Sequence, residues 1–177
     1  DAKDSYEWYS TSMRVLHSKG SEADAAYREV AHEALRRYPT EMRFYIGMSS
    51  HLMPRWYGRP GDWEHFTETS TSSLPDSLAD EYYARVVAFQ SRFVENVFQE
   101  SPSLSWPRTK QGLESWRRHW PTSKQPLSAA ALLACLAEDR ASARECFAAL
   151  GDTVELEIWG SGERFLAARD WAHAESH

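Results

Sequence analysis

The sequence is short of the features that announce a chemistry. It has two cysteines, Cys135 and Cys146, with no Cys-x-x-Cys and no Cys/His ligand spacing, so a zinc site is not expected. A disulfide between them requires their helices to form a hairpin that brings the Cα atoms within about 7 Å. No apolar run approaches the roughly 18 residues of a membrane-spanning helix. Strand signals are almost missing: 153–159 alternates briefly through Val154, Leu156 and Ile158, but one such segment cannot make a sheet, and it reads as a helix entry or an extended linker. The seven histidines include no His-Glu-x-x-His pair of the zinc-binding kind. Gly58-x-x-Gly61 lacks the lysine and preceding strand of a phosphate loop, and Gly160-Ser161-Gly162 lacks the spacing of a nucleophile elbow. No catalytic residue, metal or cofactor is therefore expected. Positive charge is also scarce: 20 Lys+Arg stand against 26 Asp+Glu, a net charge of −6, which argues against nucleic acid as a partner.

What is present is a globular composition, 42% hydrophobic and 26% charged over 177 residues, enough to bury a core in one domain spanning 1–177. Eight of the residues are tryptophan, well above ordinary usage. No basic stretch followed by an apolar one marks a signal peptide, so the expected compartment is the cytoplasm, with the periplasm or secretion as the alternative. Charge is uneven. Segment 101–125 carries five basic residues and one acid, and Arg108, Lys110, Arg117, Arg118 and Lys124 read as the solvated face of a helix docked on acidic neighbours.

Nearly every periodic segment reads as helix, about eight or nine in all. The segment 5–18 places Trp8, Ser12, Val15 and Leu16 near one stripe, and 22–38 repeats the pattern through Ala31, Ala34 and Leu35. Thr40 has N-cap chemistry ahead of 41–53, where Phe44, Tyr45, Met48 and Leu52 are spaced for burial. Asp62 is placed to cap a short helix, and the Ser/Thr-rich stretch 67–75 reads as a flexible loop. A single helix over 76–99 would be the longest, about 35 Å. Helices over 108–120, 127–137, 140–150 and 162–172 follow, separated by Pro, Asp and Gly.

An internal echo points to a repeat. Ala34–Thr40 and Trp116–Thr122 align at a spacing of 82, pairing Arg36 with Arg118, Tyr38 with Trp120, Pro39 with Pro121 and Thr40 with Thr122. In both, a helix ends on an aromatic and proline starts the turn. Ala131, Ala143 and Phe147 match the spacing by which tetratricopeptide-type hairpins pack, since alanine at a crossing lets two backbones approach closely. The predicted fold is all-α: stacked antiparallel helical hairpins, tetratricopeptide-like, a fragment of an α-solenoid.

Short motifs carry a resemblance. Leu52-Met53-Pro54-Arg55-Trp56-Tyr57-Gly58 and Gly61-Asp62-Trp63-Glu64-His65-Phe66 resemble the Leu-Pro-Arg-Trp-Gly-Gly segment and following acidic-aromatic helix of an uncharacterised bacterial family, domain-of-unknown-function family 4034. Trp106–Gly112, Ala134–Arg140 and Arg169–Ala172 are similar to later pieces of it, and Tyr57 departs from the small residue the family places there. The resemblance implies an all-helical, repeat-like bacterial domain and brings no activity.

The connection 54–62 concentrates Arg55, Trp56, Tyr57, Arg59 and Asp62, with Trp63 just beyond, residue types that dominate binding hot spots. The alternative is packing, with Trp56 and Trp63 plugging the end of the stack. Trp106, Trp116, Trp120, Trp159 and Trp171 sit near helix ends and read as wedges in the core. The expected function is a non-enzymatic module that binds another protein or peptide, of immunity, antitoxin or adaptor type, with neither nucleic acid nor membrane as partner. The competing expectation is an enzyme with a pocket beside the 54–62 loop, acting on an anionic or sugar-like small molecule.

Overall fold

Helices begin where a side chain supplies the hydrogen bond that the first turn lacks. The computed structural model describes residues 5–174. Ser5 accepts from the Trp8 N–H at the head of α1 (Tyr6–Ser18), and a 3-10 turn, Ser21–Ala23, leads into α2 (Asp24–Arg37). Glu41, not Thr40, caps α3 (Met42–His51), and α4 (Asp62–Thr71) starts after left-handed Gly61. Then follow α5 (Asp76–Gln90), α6 (Val97–Glu100), α7 (Trp106–His119), α8 (Gln125–Leu136), α9 (Arg140–Leu150), α10 (Leu156–Trp159) and α11 (Gly162–His173). The fold is all-helical, with no strand among the described residues, and none of its helices is long and apolar enough to cross a membrane.

Eleven α-helices among the described residues replace the expected eight or nine because two short ones, α6 and α10, lie in segments read otherwise. The helix expected over 76–99 stops at Gln90, about 22 Å long, since Asn96 turns its side chain back onto the Phe98 and Gln99 N–H groups and starts α6 afresh. The Asn96 side-chain amide also donates to the Leu136 carbonyl, which anchors the break. The segment 153–159 ends in α10. Conversely, most of the loop expected at 67–75 is helix. Thr67, Thr69, Thr71 and Ser72 each donate to the carbonyl four residues back, so their hydroxyls are satisfied inside α4.

The chain divides between Leu74 and Pro75 into two compact units, where one domain was expected. In the first, α1 packs on α2 and α3, α2 on α3, and α3 on α4. Its core is Tyr9, Met13, Tyr27, Ala31, Ala34, Phe44, Tyr45 and Met48. The expected stripe of α1 is the wrong one: Trp8 and Val15 are exposed, and Tyr9 and Met13 point inward, because Tyr9 meets Tyr38 and Phe44 edge-on.

In the second unit α5 packs on α7, α7 on α8, α8 on α9 and α9 on α11, with α10 against α8 and α11. The α5–α7 approach depends on Gly112, where a Cβ would lie 1.8 Å from the Asp80 carbonyl oxygen. Around α8 and α9 the core gathers Leu132, Ala143, Phe147, Trp159 and Phe165. The three rings meet pairwise at 5.2 to 5.6 Å between centroids, each contact adding about 0.5–1.5 kcal/mol beyond the area buried. Cys135 and Cys146 are free, and burial pushes both thiols up to about 11.

The 82-residue echo extends into the backbone. Helices α2 and α7 have the same length and the same offset, and their C-caps Tyr38 (φ −129°, ψ 64°) and Trp120 (φ −128°, ψ 62°) are almost superposable. Each cap N–H donates to the carbonyl four residues back, Ala34 and Trp116.

Candidate functional site

The 54–62 connection is tied down at both ends by its own backbone. The Trp56 and Gly58 N–H groups donate to the Met53 carbonyl, the Tyr57 N–H donates to the His51 carbonyl, and a Cβ at Gly58 would lie 1.7 Å from the Leu52 oxygen. Asp62 accepts the Arg59 N–H at 2.8 Å and so shapes the loop. Trp63 is buried, at 3% exposure, on the inner face of α4, and Trp56 is 50% exposed. The arrangement splits the expected tryptophan pair: one is core and the other lies on the surface, with the Arg55 guanidinium 5.7 Å from its ring centre. Tyr57 points into the unit, its hydroxyl donating to the His17 carbonyl at 3.0 Å and its own carbonyl accepting from Arg28 at 3.4 Å.

Behind Tyr57 lies a cluster that no sequence motif marks. His51 is 1% exposed and stacks on Tyr27 at 3.7 Å with ring planes 6° apart. Its Nε2 lies 2.7 Å from Asp24 Oδ1 and its Nδ1 3.1 Å from Nδ1 of His17. Asp24 also accepts from Arg28 Nε at 2.9 and 3.0 Å. Burial works to raise the Asp24 carboxyl, but the hydrogen bonds from Arg28 and His51 outweigh it and hold the group below the usual carboxylate range. Burial likewise lowers His51, against the raising pull of Asp24, and pushes the Tyr27 phenol far up. These states assign the protons. Ionised Asp24 only accepts, so His51 Nε2 carries its hydrogen; neutral His51 then accepts at Nδ1, so His17 Nδ1 donates. The outer nitrogen of His17 is the end of the chain. Asp24 and His51 lie 7 and 34 residues from His17 along the chain, and only the docking of α1, α2 and α3 joins the three, so a search for short spacings passes them by.

The second unit holds a cleft of about 450 Å³, built from α7, α8 and α9 alone. Trp106, Leu113, Leu127, Ala130, Cys146 and Ala149 form its apolar surface, and Lys110, Glu114, Arg117 and Glu145 its charged margin. Trp106 is fixed by donating from Nε1 to Asp139 at 3.1 Å, and Lys110 pairs with the same carboxylate at 3.2 Å. Burial works to raise Asp139, but the Ser142 N–H and hydroxyl, Trp106 and Lys110 outweigh it and hold it far below the usual range. The basic segment is thus largely neutralised at home, with Arg108 paired to Asp80 at 2.7 Å and Arg117 to Glu114 at 2.9 Å. Among the expected tryptophan wedges, Trp159 is fully buried and Trp106, Trp116 and Trp171 half-buried, but Trp120 is 56% exposed.

No family model, curated protein or solved structure matches the chain. The functional reading therefore rests on geometry. Among the described residues no group of three or more His, Cys, Asp or Glu side chains is placed to hold a metal ion.

Proposed function

We propose that the protein is a non-enzymatic, tetratricopeptide-like module of stacked helical hairpins that binds another protein or a peptide, in the manner of an immunity, antitoxin or adaptor protein. The observation that carries the reading is the α7–α8–α9 cleft, with an apolar floor and charges of both signs at its margin. Packing of α7 on α8 and α8 on α9 supports successive hairpins, as do the shared cap geometry of α2 and α7 and the complete burial of Ala131 and Ala143 beside Phe147. Such stacks present extended grooves without any catalytic group. The occupant that fits is a peptide with an apolar anchor beside Trp106 and Leu127 and charges of both signs flanking it. The acidic net charge agrees with a partner other than nucleic acid.

The test is affinity capture from the source cell with wild type and with Ala130→Arg, which places a charge on the half-buried floor of the cleft. One stoichiometric partner held by wild type and released by Ala130→Arg is the expected result. A partner released instead by Arg55→Ala with Trp56→Ala, and retained by Ala130→Arg, would move the interface to the 54–62 connection. Recovery of no stoichiometric partner by any form would sink the reading.

A further inference from the structure

Two facing stripes in the first unit share one cleft of about 270 Å³. From α1 come Ser10, Arg14 and His17, at positions i, i+4 and i+7; from α3 come Arg43, Gly47 and Ser50 at the same intervals. That spacing sets each trio along one side of its helix. Met13, Tyr27 and Phe44 complete the walls and are all buried, so the cleft combines an apolar interior with cationic and hydroxyl-bearing groups. Gly47 keeps it open: a Cβ there would lie 3.0 Å from Met13 Cε and 3.3 Å from the Tyr27 hydroxyl. Glycine inside a helix costs about 1 kcal/mol against alanine, so its presence at this point is a packing choice. Among the described residues Arg14 makes no ion pair, and Arg43 has a carboxylate, Glu41, only at 3.9 Å, with its guanidinium 5.2 Å from the Tyr6 ring centre.

We propose that this cleft binds a small organic anion, a carboxylate or phosphate monoester attached to an apolar group, and that His17 is its proton-bearing contact. The Asp24–His51 chain supplies the reason for a histidine. His17 donates its Nδ1 hydrogen to His51, which in turn donates to ionised Asp24, so the imidazole is held in one orientation. That leaves the outer nitrogen of His17, in the wall of the cleft, to meet the anion. The charged and titratable groups around it are Arg14 on its own helix, Asp24, Tyr27 and Arg28 on α2, Arg43 and His51 on α3, and Tyr57 in the connection. This site lies outside the α7–α8–α9 groove, so its failure leaves the peptide-binding reading standing.

Calorimetric titration of the whole chain with phenyl phosphate, benzoate, inorganic phosphate and benzyl alcohol, at about pH 6 and about pH 8, tests it. Phenyl phosphate or benzoate is expected to bind at least about tenfold tighter than inorganic phosphate or benzyl alcohol, and tighter at the lower pH with proton uptake. Arg14→Met, an exposed change that leaves the core alone, is expected to weaken binding about tenfold, the loss of one charge-assisted hydrogen bond. His17→Gln is expected to remove the pH dependence, and Gly47→Leu to close the cleft. Far-UV circular dichroism checks that each variant is folded. Absence of binding by any probe at the lower pH overturns the proposal. So does benzyl alcohol binding as tightly as phenyl phosphate, or full affinity in Arg14→Met.

Discussion

His51 shows how a single buried side chain sets a response of its unit. Its folded pKa lies below the ordinary value near 6.5 because burial disfavours the charged ring. The unfolded chain therefore binds the proton more readily. The contribution to stability is complete above about pH 6.5 and falls as the pH drops through that value. Urea midpoints of the first unit across this range are expected to decline on acidification, and His51→Phe, which keeps a ring against Tyr27, is expected to flatten the slope. Trp159 offers a second case. It is fully buried, and its Nε1 finds no hydrogen-bond partner among the described residues. Trp159→Ala is expected to cost the second unit about 3–5 kcal/mol by chemical denaturation, the range for emptying a large aromatic site. Trp159→Phe removes the unpaired donor and is expected to cost clearly less. Burial of Phe44, Tyr45, Met48 and Leu52 was legible from their spacing, because each repeats on one helical face. The joining of His17 to His51 was not, since it depends on how α1 meets α3.

Among the elements, the α5–α7 pair is the most tightly constrained. Gly112 brings the two backbones together at Asp80, where no side chain fits. Gly112→Ala is expected to destabilise the second unit by more than the ~1–3 kcal/mol of ordinary overpacking, because the atom displaced is backbone. A lowered thermal midpoint measured by circular dichroism checks this, and an unchanged midpoint would contradict the close approach. The helix boundaries that surprised were those decided by side-chain hydrogen bonds. Asn96 ends a run whose apolar periodicity continues to Val97, and the hydroxyls of 67–72 prolong a helix through residues that commonly mark loops. Hydrophobic period reports which face is buried; it is silent on where the backbone finds its partners.

For the whole molecule, the division between Leu74 and Pro75 predicts separable folding. A fragment beginning at Pro75 is expected to unfold in one cooperative transition by circular dichroism, because the cluster of Phe147, Trp159 and Phe165 lies entirely within it. A gradual, non-cooperative loss of helix would show that the unit needs the first one. Net charge and the pairing of Arg108, Lys110 and Arg117 with nearby acids leave little free positive charge on α7, so no binding to duplex DNA is expected at physiological salt, as a mobility-shift assay would show.

Local chemistry along the chain was enough to specify helices, most of their inward faces and the Tyr38/Trp120 echo, because propensity, proline and apolar period act within a few residues. The echo appears in the folded chain as two caps within a few degrees of each other. Docking decided the rest. It buried Trp63 and exposed Trp56, set α7, α8 and α9 around a groove, and placed Asp24, His51 and His17 in one hydrogen-bonded line. Those outcomes depend on contacts between helices far apart in sequence, where the free energy of each side chain is set by neighbours that no local pattern names.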